Sequence, residues 1–157
     1  MVASQDTPDR AGLQMPIMPG DGPLLARGVC RLLRDLGYGT LTEFSLKTRR
    51  RADAIGVSGT GQIVIVETKT TETDYRSDGK WHEYRDFCDA FYFAVPREFP
   101  RELIPEDCGL MVADAHGAAV LRPAPTHRLH ASRRKALLLR FAVAASTRLQ
   151  RLVDPEI

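Results

Sequence analysis

The chain has 157 residues, 43% of them hydrophobic and 27% charged, a composition that points to one globular domain able to hold a core without disulfide or metal staples. Twenty-two Lys and Arg against twenty Asp and Glu leave a net charge of +2, so bulk electrostatics identifies no partner and any anion-binding surface must be local. Three scattered cysteines, Cys30, Cys88 and Cys108, form no C-x-x-C pair, which argues against a zinc ribbon or a disulfide framework and fits a reducing compartment. The acidic start around Asp6 and Asp9 is unlike a secretory leader, and the most apolar stretch, 136–145, is broken by Arg140. A cytoplasmic protein without membrane association is expected.

Residues 1–23 show no apolar periodicity and carry Pro16 and Pro19 beside Met15 and Met18, so they read as a flexible arm ahead of a single domain over 24–157. Leu25, Val29, Leu32, Leu33 and Leu36 recur at helical spacing over 24–36, with Gly37 as the stop. A strand over 40–46 leads into the basic run Lys47, Arg49, Arg50 and Arg51. Two β-branched runs then flank Gly59-Thr60-Gly61, a hairpin pattern. The spacing of Trp81, Tyr84, Phe87 and Cys88 predicts a helix from about 79 to 90, with Asp86 and Asp89 at its solvated end and Trp81 and Tyr84 in the core. Strands follow over 91–95, 109–113 and 118–121, the last two as a second hairpin. A long helix over 130–153 carries the stripe Leu138, Phe141, Ala142, Ala145, Leu149 and Leu152. This order predicts an α/β sandwich, a central mixed β-sheet flanked by helices.

Hairpin register decides which charges meet. With a three-residue loop, Val57 faces Ile63, Ile55 faces Ile65, Asp53 faces Glu67 and Arg51 faces Lys69, all on one face. Ala52, Ala54, Gly56, Val64, Val66 and Thr68 take the other. Opposed residues have Cβ atoms roughly 4.5–5.5 Å apart, so Asp53 and Glu67 present two carboxylates to one point. A divalent cation, Mg²⁺ or Mn²⁺, would turn their repulsion into ligation, with the Thr68 carbonyl as a further donor. Lys69, one pleat repeat from Glu67, would reach a scissile phosphate or its attacking water. The alternative is a charge ladder in which Arg51 and Lys69 neutralise the two acids, worth under about 1 kcal/mol per pair. Lys47, Arg49, Arg50 and Arg51 lead into Asp53 and suit contacts with a phosphodiester; most basic runs are only solvated. Arg133, Arg134 and Lys135 form a second such cluster.

Asp53 followed by Glu67-Thr68-Lys69 at the end of the next hydrophobic strand resembles the D…(D/E)-x-K motif of the PD-(D/E)xK nuclease superfamily. Arg51-Ala52-Asp53, 63–69, Lys80-Trp81, Tyr84 and 88–95 are, more narrowly, similar to the bacterial MmcB-type DNA repair proteins. The resemblance covers roughly 24–121. It implies a restriction-endonuclease-like core, a DNA substrate, Asp53 and Glu67 as metal ligands and Lys69 as the catalytic lysine. The superfamily often carries a Glu in its first helix, absent from 24–36 here, and Ala52 stands in the usual place of Pro. Glu43, on the preceding strand, either completes the metal shell or is exposed strand edge. Lys80, expected on the face of Tyr84 and Phe87, resembles the helix-borne polar residue that supports the superfamily's active site; alternatively it snorkels over apolar surface. The function expected is metal-dependent DNA hydrolysis in repair. The alternative is an inactive DNA-binding module or structural subunit that keeps the fold, and both a homodimer and a repair-complex partner remain open. Glu67 and Lys69 are expected to face a solvent-accessible cleft.

Overall fold

The computed structural model describes residues 16–155, so most of the expected N-terminal arm lies outside the described residues. Helix α1 (Gly22–Asp35) starts within the span read as arm, with Pro23 in its first turn, where a missing N–H breaks no helical hydrogen bond. Then come β1 (Tyr38–Ser45), β2 (Arg51–Ser58), β3 (Ile63–Thr68), α2 (Glu72–Ser77), β4 (Ala90–Val95), β5 (Gly109–Ala113), β6 (Ala118–Arg122) and α3 (Ala131–Val153).

The six strands form one sheet in chain order, antiparallel from β1 to β3, parallel from β3 to β5 and antiparallel between β5 and β6. This is the mixed, helix-flanked α/β sheet that the pattern predicts. All six residues of β3 are buried, because helices cover both faces of this central strand; hence its unbroken Ile63-Val64-Ile65-Val66 run.

On one face α1 packs Leu25, Val29 and Leu33 against Ala54, Val64, Val66, Ala94 and Met111. The approach is close at Gly28, where a Cβ would collide with the carbonyl oxygens of Asp114 and Gly117 in the β5–β6 turn. On the other face an aromatic cluster of Phe44, Trp81, Tyr84, Phe91, Phe93 and Phe99 fills the space around Ile55, Ile63 and Ile65. The Trp81 and Phe93 rings meet edge to face with centroids 5.2 Å apart.

The helix expected over 79–90 is a 3₁₀ segment, Trp81–Phe87, preceded by the short α2. Its inward residues are three apart, the 3₁₀ period, which is why a helical pattern was visible in the sequence. Asp89 is not solvated. Only 4% exposed, it accepts the backbone N–H groups of Ile63 (2.8 Å) and Leu129 (2.9 Å), and Arg134 grips both of its oxygens at 2.6 Å. Burial opposes its charge, but Arg134 and the two amides hold the carboxyl down at about 2.

The inner face of α3 also differs from expectation. Leu137, Leu138, Phe141 and Ala144 face the core, while Ala142, Leu149 and Leu152 are exposed. The helix meets the sheet at its β1 edge, where arginines make much of the contact: Arg140 donates to the Ser45 carbonyl (3.0 Å) and Arg148 to those of Thr42 (2.6 Å) and Glu43 (3.0 Å). Apolar periodicity therefore marks this face poorly. Among the described residues, no helix is long and apolar enough to cross a membrane.

Candidate functional site

The β2–β3 register is the one that a three-residue loop requires: Val57 lies opposite Ile63, Ile55 opposite Ile65 and Ala54 opposite Val66. One step further Asp53 comes opposite Glu67, and there side chains replace the backbone ladder. The Asp53 N–H donates to Glu67 Oε1 (3.1 Å), and the Thr68 N–H (2.8 Å) and hydroxyl (3.0 Å) donate to Asp53 Oδ2. The strand also turns over here. Ala52 packs in the aromatic cluster and Ala54 against α1, so the two do not share the face that regular alternation assigns them. The irregularity is shared with β1, where Glu43 takes a positive φ of 48°.

Glu67 is 5% exposed and Lys69 6%, so neither lines an open cleft as expected. The reason lies in their neighbours. β4 pairs along β3 through Thr68, and the Lys69 N–H continues that ladder to the Ala94 carbonyl. Burial, and then the Asp53 charge, push the Glu67 carboxyl up to about 9, against the opposing pull of the Asp53 N–H and Lys69. Asp53 Oδ1 and Glu67 Oε2 accept no hydrogen bond from the described residues. A pair of adjacent carboxyl groups, each with a free oxygen and one held protonated by burial and its neighbour's charge, fits a hard divalent cation.

Lys69 is held from the far side. Its Nζ lies 2.9 Å from Asp78 and 3.9 Å from Asp74; burial alone would lower its pKa, but the Asp78 contact leaves it raised. Asp74 is placed by the turn that opens α2, where the Thr71 hydroxyl accepts the Asp74 N–H and Asp74 accepts the Thr70 N–H. Sequence reasoning missed both aspartates, although T-E-T-D has the spacing of a helix-opening capping pair. It also placed Tyr84 in the core without a role. Tyr84 is buried, donates its hydroxyl to the Arg51 carbonyl (2.9 Å), and burial with the Glu67 and Asp53 charges raises its phenol above the ordinary range.

Other expected residues are not brought to the pair. Glu43 turns its carboxylate, 63% exposed, towards Arg51 at 3.9 Å, because its positive φ swings the residue out at the strand edge. Lys80 precedes the 3₁₀ segment as an exposed residue held through its backbone, its N–H donating to Asp78 (3.0 Å) and its carbonyl accepting the Glu83 N–H (3.1 Å). Lys47 and Arg49 are exposed in the β1–β2 connection, whereas Arg50 is tied to Glu83 at 2.9 Å and Arg51 faces Glu43. Among the described residues no three His, Cys, Asp or Glu side chains are grouped to hold a metal. The candidate site is therefore Asp53 and Glu67, with Lys69 beside them.

Comparison with known proteins agrees with the resemblance to the MmcB-type DNA repair proteins. A solved structure described as the SPO1766 protein of unknown function from Silicibacter pomeroyi is similar at 41% identity and a TM-score of 0.83, over 90% of this chain and 95% of that one. No curated protein matches. The family model described as DNA repair protein MmcB-like matches residues 19–156, which takes in α1, the whole sheet and α3. The chain belongs to the MmcB-like family of DNA repair proteins.

Proposed function

We propose that the protein is a Mg²⁺- or Mn²⁺-dependent deoxyribonuclease of the restriction-endonuclease-like type, acting in DNA repair. The observation that carries this reading is the Asp53–Glu67 pair, two carboxylates converging at the ends of β2 and β3 with Glu67 buried. The DNA repair description of the family supports the choice of DNA as substrate. A bound divalent cation supplies polarisation of the phosphate and a water of lowered pKa. Asp53 and Glu67 are the residues that would hold that cation. Thr68 fixes Asp53 by two hydrogen bonds, so the carboxylate is oriented before any ligand arrives. Lys69 places a fixed positive charge near the pair to stabilise negative charge developing on the phosphate.

The test is cleavage of supercoiled, linear, branched and single-stranded DNA by the purified chain in Mg²⁺, Mn²⁺ or EDTA. Metal-dependent cleavage that disappears in Asp53→Asn while DNA binding persists supports the proposal. A chain that cuts no substrate with either metal and gives no Mn²⁺ binding heat rules it out.

A second reading is a DNA-binding module or structural subunit that has the fold without the cleavage. The partners of Lys69 favour it, because Asp78 and Asp74 already offset the ammonium, and no third carboxylate joins the pair among the described residues. Salt-dependent gel shifts without nicking would identify it.

A further inference from the structure

A cavity of 680 Å³ opens along the β1 edge of the sheet, outside the carboxylate site. One wall is α1, which contributes Arg27, Arg31 and Arg34; the other is β1, with Arg148 reaching round from α3. Cys30 and Tyr38 lie between them, and no carboxylate lines the cavity among the described residues. Four guanidiniums on one concave surface are unlike the run before Asp53, where Arg50 and Arg51 are occupied by Glu83 and Glu43.

The α1 arginines keep most of their donors free. Arg27 has no hydrogen bond or ion pair among the described residues, and Arg31 gives one N–H to the His116 carbonyl (3.2 Å). Arg34 makes a 3.6 Å contact with Asp35, with both side chains over 70% exposed. Arg148 spends two N–H groups on carbonyls of β1 and is held as a fixed charge. From Arg27 to Arg34 the row spans about 10 Å of helix axis, and one DNA strand carries a phosphate for about every 3.4 Å of duplex. The row therefore faces about three phosphates.

The groove also leads to the carboxylates. Pro23 lines one end, and its neighbour Gly22 sits so close to Thr68 that a Cβ there would lie 3.0 Å from the hydroxyl that holds Asp53. We infer that this groove is a second polyanion site, which takes the sugar-phosphate backbone of a DNA strand without reading its sequence and directs it towards Asp53 and Glu67. The inference rests on the DNA reading above and is independent of cleavage.

The test is fluorescence anisotropy of labelled 20-nucleotide single strands and duplexes in EDTA over a salt series, which also shows the strand form held. Expected for Arg27→Ala/Arg31→Ala/Arg34→Ala is at least tenfold weaker binding at low salt and a log–log salt slope shallower by about two to three, since each phosphate contact contributes about 0.7 to 0.9. Arg97→Ala/Arg101→Ala/Arg128→Ala removes the same charge from exposed positions elsewhere and should change affinity less than twofold. Lys at all three α1 positions should bind within about threefold of wild type, which separates lost charge from lost folding. Equal losses in the groove and control triples, wild-type binding by the groove triple, or no salt-dependent binding by the wild type would each overturn the inference. Loss of cleavage with the groove result intact would instead overturn only the nuclease proposal.

Discussion

Glu67→Gln isolates the energetics of the buried carboxyl. In the metal-free protein burial and the Asp53 charge raise Glu67 from an ordinary 4.5 to about 9. The folded chain then keeps a proton that the unfolded chain releases above about pH 4.5. The stability linked to that proton is fully present below the unfolded pKa and is lost as pH rises through the folded one, at up to about 1.4 kcal/mol per pH unit. Between pH 5 and pH 7 the loss is about 2–3 kcal/mol. The amide of E67Q still accepts the Asp53 N–H and has no proton to lose. Urea unfolding of both proteins in EDTA from pH 5 to pH 8 measures the difference, and titrations common to both cancel. The variant should gain on the wild type by about 1 kcal/mol per pH unit. Saturating Mn²⁺ should flatten the wild-type curve, because the cation replaces the proton, and leave E67Q unchanged. Parallel curves in EDTA would show that Glu67 ionises normally, and the account of the pair as a charge-deficient site would fail.

Asp89→Asn should destabilise the fold by about 2 kcal/mol at pH 7, the equivalent of lowering the carboxyl from 3.8 to about 2; the difference from wild type is fully present above about pH 4 and shrinks as pH falls towards 2, as chemical denaturation would show. Gly28→Ala should lower stability by about 1–3 kcal/mol in thermal melts, since its methyl meets backbone oxygens of the β5–β6 turn rather than a side chain that can move. Asp78→Asn should cost about 1–2 kcal/mol, leaving buried Lys69 with only Asp74 at 3.9 Å, and Lys69→Met in the same background should recover part of it in a double-mutant cycle.

Much of the sheet was legible because its residues obey one rule at a time. The unbroken apolar run of β3 and the Gly59-Thr60-Gly61 turn together specify the register that sets Asp53 opposite Glu67. What stayed hidden depends on distant chain. Glu67 and Lys69 read as exposed strand-end charges because the strand and loop that cover them, β4 and the segment ending at Asp78, come 10 to 30 residues later. Asp89 read as solvated for the same reason, its partner Arg134 being 45 residues away. Helix α3 misled for a different one: its inward side includes Arg134 and Arg148, so the apolar stripe and the packed side are not the same face.

The arginines of α3 also bear on the outer edge of the sheet. Among the described residues β1 is an outer strand paired only with β2, and such a strand offers a row of carbonyl and amide groups on which another chain could add a strand. Arg140 and Arg148 occupy the carbonyls of Ser45, Thr42 and Glu43 and put positive charge along that border. An incoming strand would have to displace these hydrogen bonds and approach two guanidiniums. The helix thus blunts strand addition along β1 without adding a strand of its own.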